Sequence, residues 1–251
     1  MDNVKLHLWC ARPDDLIDAE AAQACLQLLS ADELSRWRRY KFERSRREYL
    51  ATHALARTAI SHQLGIAPNA LRFHVDGFGK PSLVPECGLT FNLSNSSGLV
   101  VCIVGESGAL GVDVEPFARA ESICQVAQKV FSPLELAQLS ELSAGHQLQR
   151  SLQLWTLKEA YIKARGMGFK LPLTKFSLIF GELNSIRLML EPELNDDATR
   201  WNFCVASHAE HCIALMVEND RSPQLQVWEA HPASASPRPI HSVSAIWNPG
   251  A

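Results

Sequence analysis

Two helix-start signals 102 residues apart constrain this chain more than any other feature. Ser30-Ala-Asp-Glu33 and Ser132-Pro-Leu-Glu135 are both capping boxes, in which the serine accepts from the third helical N–H and the glutamate reaches back to the serine's own N–H. The second also has Pro at the first helical position, where the missing N–H costs nothing. From Ser30 to Gln63 there is no Gly or Pro, which predicts one long or two abutting helices stopping at Gly65; a second helical stretch over 147–165 stops at Gly166 and Gly168. Strand patterns at 4–8, 71–75, 89–93 and 99–104 surround the first helical block. Others at 110–115, 176–180, 186–190, 201–205 and 211–217 surround the second. Ser94-Asn-Ser-Ser-Gly98 supplies turn chemistry for a hairpin.

At the same offset Leu55, Arg57 and Ile60 face Leu157, Glu159 and Ile162, and Pro68 and Pro172 lie 104 apart, each ahead of a strand. This reads as an internal duplication: an α+β fold of two similar α/β lobes related by a pseudo-twofold, with the active site in the cleft between them. The expected lobes are 1–107 and 108–220. The alternative is two α+β segments that share capping chemistry by chance. Residues 221–251 hold five of the thirteen prolines, five serines and only Arg221, Glu229 and Arg238 as charges, and read as an extension that Trp228 and Trp247 would tether.

The net charge of −3 excludes a general nucleic-acid binder, yet seven basic residues between Arg36 and Arg47 face the single Glu43, a local +6. That segment suits a solvated helix face, a nucleic-acid patch or a cradle for a polyanionic small molecule. Apolar runs such as 99–104 fall far short of the roughly 20 residues of a spanning helix, and the N-terminus lacks a signal-peptide pattern, so no membrane segment and a cytoplasmic location are expected. Seven cysteines, an odd number without Cys-x-x-Cys spacing, read as reduced, packed thiols.

Asp113 and Glu115 lie two apart on a strand pattern, so both carboxylates project from one face and repel unless a cation sits between them; a hard ion such as Mg²⁺ takes such oxygen ligands. A solvated strand face would give the same pattern. In Trp155-Thr-Leu-Lys-Glu-Ala-Tyr-Ile-Lys163, Glu159 and Lys163 are i,i+4 neighbours and Trp155 sits one turn earlier on that face. A surface ion pair is the plain reading, but Leu157, Ala160, Tyr161 and Ile162 predict a largely buried helix. Gly77-Phe-Gly-Lys-Pro-Ser82 lacks P-loop spacing and reads as a tight turn presenting Lys80. No zinc pattern or nucleophile elbow occurs.

Gly111-Val-Asp-Val-Glu115, followed 40 residues after Glu115 by Trp155-Thr-Leu-Lys-Glu-Ala-x-x-Lys163, resembles the paired signature of the Sfp-type 4′-phosphopantetheinyl transferases. Phe-Gly-Lys-Pro at 78–81, Phe-Asn-Leu-Ser at 91–94 and Val-Phe-Ser-x-x-Glu at 130–135 add to the resemblance, which covers about residues 1–217. It implies transfer of the 4′-phosphopantetheine arm of coenzyme A to a serine of an apo acyl or peptidyl carrier protein. It further implies Mg²⁺ held by Asp113, Glu115 and Glu159, with Asp113, Glu159 and Lys163 catalytic. Coenzyme A would be bound by Arg36, Gly79, Lys80, Pro81, Ser94, Asn95 and Lys163. The sequence departs from that pattern at Asn95, where the family commonly has His, and at Glu33, where some relatives carry Lys. A Mg²⁺-dependent phosphohydrolase of a nucleotide pyrophosphate and a non-catalytic coenzyme A or carrier-binding module are the alternatives. A duplicated pair of lobes would need no dimer, so a monomer is expected. The segment 116–131 is a candidate carrier-docking surface through Phe117, Arg119, Val126 and Val130.

Overall fold

In a computed structural model, residues 4–182, 185–219, 223–230, 237–240 and 244–247 are described. The chain divides into two compact units, Lys5–Glu106 with Gln224–Ser242, and Ser107–Pro223 with the chain ends. The first opens with strand β1 (Val4–Ala11), followed by helices α1 (Ala19–Leu26), α2 (Ala31–Trp37) and α3 (Glu43–Leu64) and two hairpins, β2 (Phe73–Val75) with β3 (Pro81–Leu83) and β4 (Thr90–Ser96) with β5 (Leu99–Gly105). The second opens with β6 (Leu110–Pro116), followed by α4 (Ala120–Gln125), α5 (Ala127–Val130), α6 (Pro133–Ser140) and α7 (Ala144–Arg165), and again two hairpins, β7 (Phe176–Phe180) with β8 (Ile186–Leu190) and β9 (Trp201–His208) with β10 (His211–Glu218).

Both capping boxes form as their sequences require, with Ser30 and Ser132 each accepting from the N–H three residues on. The Gly- and Pro-free stretch resolves into two helices, α2 and α3. Helices α3 and α7 are both 22 residues long and both end on a left-handed glycine, Gly65 (φ 65°) and Gly166 (φ 64°), because glycine takes that conformation without the strain that a Cβ brings. The strand orders also repeat, β1-β5-β4 in the first sheet and β6-β10-β9 in the second. Each unit is thus strand, helices, short hairpin, long hairpin, with its last strand in the middle.

The helices set the repeat at 101 residues rather than 102, which corrects all three helix pairings and moves Leu55 onto Thr156 and Ile60 onto Tyr161. Arg57 corresponds to Lys158, not to Glu159. The physical reason is a shared buried ion pair: Arg57 bonds Glu33 (2.8 Å) and the carbonyls of Pro68 and Leu71, while Lys158 bonds Glu135 (2.8 Å) and the carbonyls of Leu173 and Phe176. In each unit the capping-box glutamate therefore has a second partner on the long helix, and that cation ties down the loop beyond it.

Each unit has its own core. In the first, Leu50, Leu55 and Ile60 of α3 pack with Trp9, Val100, Cys102 and Val104 of the sheet. In the second, Leu154, Leu157 and Tyr161 of α7 pack with Phe176, Leu178, Phe203 and Ala214. The seven cysteines are free; five are buried, but Cys87 is exposed and Cys124 half-buried, so the expectation of packed thiols fails at those two.

The tail forms strands rather than hanging from two tryptophans. Strand β11 (Pro223–Glu229) lies beside β1 and carries β12 (Arg238–Ile240), while β13 (Ser244–Trp247) pairs with β9. Trp228 stacks on Trp9 (5.4 Å between centroids) and its indole N–H donates to His7 Nδ1 (3.1 Å). The side chain of Trp247 lies outside the described residues. Among the described residues no helix is long and apolar enough to cross a membrane.

Candidate functional site

Helix α7 packs against β6 with unusual intimacy. A Cβ added at Gly111 would sit 2.0 Å from the carbonyl oxygen of Ala160 and 2.6 Å from the nitrogen of Ala164, so only glycine on the strand, facing two alanines one turn apart on the helix, permits the approach. Because side chains alternate along a strand, Asp113 and Glu115 share the face of Gly111 and project toward the same helix. Both are buried, at 5% and 7% exposure.

Trp155, Glu159 and Lys163 recur every four residues along α7, so they form one stripe over these carboxylates. Lys163 Nζ bonds Asp113 Oδ1 at 2.7 Å, and Trp155 Nε1 bonds Glu115 Oε1 at 3.0 Å. Arg119, one turn beyond the strand, gives the same Oε1 a second donor at 2.5 Å. The i,i+4 spacing had suggested a Glu159–Lys163 pair; the short contact of Lys163 is instead across to the strand, where a buried carboxylate is the stronger attractor. Glu159 lies between Trp155 and Lys163 on this stripe, close enough to both clamped carboxylates to feel their charges. Burial pushes its carboxyl up, the charges of Asp113 and Glu115 push it further, and Lys163 only partly offsets them, leaving it at about 7.

Among the described residues no group of three or more His, Cys, Asp and Glu side chains is gathered in a metal-holding arrangement. Asp113 and Glu115 are each neutralised by a side-chain cation instead. The donor chemistry nevertheless fits a hard divalent cation: three oxygen donors of like charge, two of them buried, raise the proton affinity of the third, and a cation among them would reverse that.

The residues expected to bind coenzyme A fall in the first unit, except Lys163. Arg36 and Pro81 line a cavity of 530 Å³ together with Glu33, His53, Arg57 and Arg72. Burial raises the carboxyl of Glu33, but hydrogen bonds from His53, Arg57 and the Ser30 N–H outweigh it and hold the group at about 2. Gly79 and Lys80 lie in the β2–β3 turn, where Asp76 Oδ1 accepts from the N–H groups of Phe78 and Lys80 at 2.8 and 2.9 Å and Gly79 takes φ 88°. Ser94 and Asn95 lie on β4 itself; the turn is only Ser97-Gly98, so Ser94 is buried and Asn95 exposed. Gly79, Lys80, Ser94 and Asn95 are not among the residues lining the cavity. Arg36, Arg38, Arg39, Lys41 and Arg44 are exposed, whereas Arg46 stacks on Trp37 and Arg47 approaches Asp14.

Three contributors escaped the sequence reading: Gly111 as the packing point, Arg119 as a partner of Glu115, and the carboxylate that Trp155 meets. The glycine two residues before Asp113 was the available signal for the first.

The repeat also shows why only one unit carries the acidic cluster. Aligned through the long hairpins and long helices, Trp9 stands where the second unit has Asp113, and His62 where it has Lys163. The contact survives as an edge-to-face aromatic pair, Trp9 to His62 at 5.2 Å.

Residues 109–216 match the 4′-phosphopantetheinyl transferase superfamily, and residues 18–108 match the family described as 4′-phosphopantetheinyl transferase, N-terminal. The chain belongs to the 4′-phosphopantetheinyl transferase superfamily. It is 29% identical to the 4′-phosphopantetheinyl transferase HetI of Nostoc sp., over 89% of this chain and 92% of that protein. It is 30% identical to the L-aminoadipate-semialdehyde dehydrogenase-phosphopantetheinyl transferase of Eremothecium gossypii, over 85% and 79%. Among solved structures, a holo-(acyl-carrier-protein) synthase from Bacillus anthracis in complex with CoA matches 43% of this chain and 93% of that one, at 18% identity and a TM-score of 0.37.

Proposed function

We propose that the chain transfers the 4′-phosphopantetheine arm of coenzyme A to a serine hydroxyl of an apo acyl or peptidyl carrier protein, releasing adenosine 3′,5′-bisphosphate. The observation that carries this reading is the tandem family match over 18–216, whose second part contains Asp113, Glu115, Glu159 and Lys163 on one strand and one facing helix stripe. Asp113, Glu115 and Glu159 are the residues to hold Mg²⁺, which when bound neutralises pyrophosphate charge.

The protein's own groups then have separate tasks. Glu159, on the helix stripe facing Asp113 and Glu115, is assigned to take the serine proton as the Oγ attacks the β-phosphorus. Lys163 is suited to stabilise the departing phosphate as the bond from phosphorus to the bridging oxygen breaks. Arg36 and Pro81 in the cavity, Gly79 and Lys80 in the turn, and Ser94 and Asn95 on β4 are assigned to coenzyme A. Asn95 brings no charge, so the arginines of the cavity, Arg36 and Arg72, carry the attraction for phosphate. Phe117 and Val126, 40% and 38% exposed, offer apolar surface to a carrier. Because Arg119 is committed to Glu115, its replacement would disturb the site as well as docking.

The test is incubation with Mg²⁺, coenzyme A and a panel of apo carrier proteins. A mass gain of one phosphopantetheine is expected; its absence on every carrier refutes the proposal. Consumption of coenzyme A with no carrier present would favour a phosphohydrolase.

A further inference from the structure

We infer that Trp155 is a positioning residue: its indole N–H fixes Glu115 in the rotamer that faces Asp113 and Glu159. The inference rests on the reading of these three carboxylates as the Mg²⁺ ligands. An indole can only donate, and its ring is too rigid to follow a carboxylate that rotates away. Trp155 is half-buried against the core of its unit, so the ring is held from behind while the N–H reaches Glu115 Oε1 at 3.0 Å. It lies one turn before Glu159 on the same helix. A single rigid element therefore carries one expected ligand and the donor that aligns a second.

The geometry also separates Trp155 from Arg119, the other donor to Oε1. Arg119 brings a positive charge that opposes a nearby cation, and its side chain is 47% exposed. Trp155 aligns the carboxylate without that opposition. Partners that orient a metal ligand in this way typically change metal affinity by about 10- to 100-fold when lost.

The experiment compares wild type with Trp155→Phe, which keeps an aromatic ring and removes the donor. Mg²⁺ is titrated calorimetrically into the full chain saturated with coenzyme A, with no carrier present and therefore no turnover. Trp155→Phe is expected to weaken Mg²⁺ binding about tenfold. In the transfer assay the half-saturating Mg²⁺ should rise by the same factor while KM for coenzyme A stays put. A packing role alone would reduce the folded fraction and leave both midpoints unmoved, and that result overturns the inference.

Glu115→Gln and Asp113→Asn separate the two levels of argument. If they lose Mg²⁺ binding while Trp155→Phe keeps it, the positioning role falls and the metal reading stands. If neither affects Mg²⁺ binding, the metal reading falls and this inference with it. Should Trp155→Phe not fold, the ¹⁵N-labelled wild type still decides: one of the six indole N–H resonances must shift with the calorimetric midpoint and be displaced in Glu115→Gln. No indole resonance following either change overturns the inference.

Discussion

Glu159 and Gly111 show how single side chains set both stability and reactivity here. A buried carboxyl raised by two neighbouring carboxylates favours its protonated form in the folded protein, so above about pH 7 the ionised group opposes folding. Glu159→Gln should therefore abolish transfer yet raise the thermal midpoint of the metal-free protein at pH 8, by on the order of 1 kcal/mol in stability. A lower midpoint would contradict the repulsion described. Gly111→Ala pushes a Cβ into the backbone of α7 and should cost about 3 kcal/mol or more, read by urea denaturation. Glycine in Gly-x-Asp-x-Glu was visible in the sequence, but its reason was not, because nothing local to a strand says that a helix carbonyl will lie against it.

At the scale of elements, the two capping boxes do more than start helices. Glu135 and Lys158 are fully buried on each other, so Lys158→Met should cost roughly 3–5 kcal/mol by stranding a charge, and adding Glu135→Gln, which removes that charge but keeps an acceptor for the buried N–H groups of Ser132 and Leu178, should restore part of that loss. Denaturation of the two variants, analysed as a double-mutant cycle, checks it. In the first unit Glu33 is held at about 2, below its ordinary 4.5, so its contribution is present above about pH 4.5 and is lost as pH falls toward 2. Glu33→Gln should flatten the stability of the protein across that window; an unchanged acid transition would show that the pair contributes nothing. The caps, both glycine stops and nine of the thirteen described strands were legible because each depends on residues close in sequence; β3 and the three tail strands were not. The buried partners Arg57 and Lys158 were not. They lie on the next helix, and a one-residue error in the repeat had paired Arg57 with Glu159.

Over the whole molecule, the two units repeat one topology but not one chemistry. Trp9 and His62 occupy the places of Asp113 and Lys163, and Trp228 from the tail stacks on Trp9. Truncation after Asn219 should therefore strip β11 from β1 and expose this aromatic cluster. Faster amide exchange over 4–11 and a lower thermal midpoint are expected; unchanged protection of β1 would show that the tail strand adds nothing. Composition alone had suggested an extension, because serine and proline counts do not register that a short strand can complete a sheet edge.

The sequence by itself determined the duplicated order of strands and helices, the helix ends, and the acidic and basic residues of the two family motifs. The order of elements and the helix ends follow from capping and periodicity, which act over a few residues; the motif residues were picked out by their resemblance to a known family. Only the tertiary structure decided which donor meets which carboxylate: Lys163 with Asp113, Trp155 and Arg119 with Glu115, and Glu159 close enough to both carboxylates to feel their charges. Those pairings depend on a helix and a strand about 45 residues apart in the chain meeting at Gly111. That close approach is a property of packing, which no local pattern encodes.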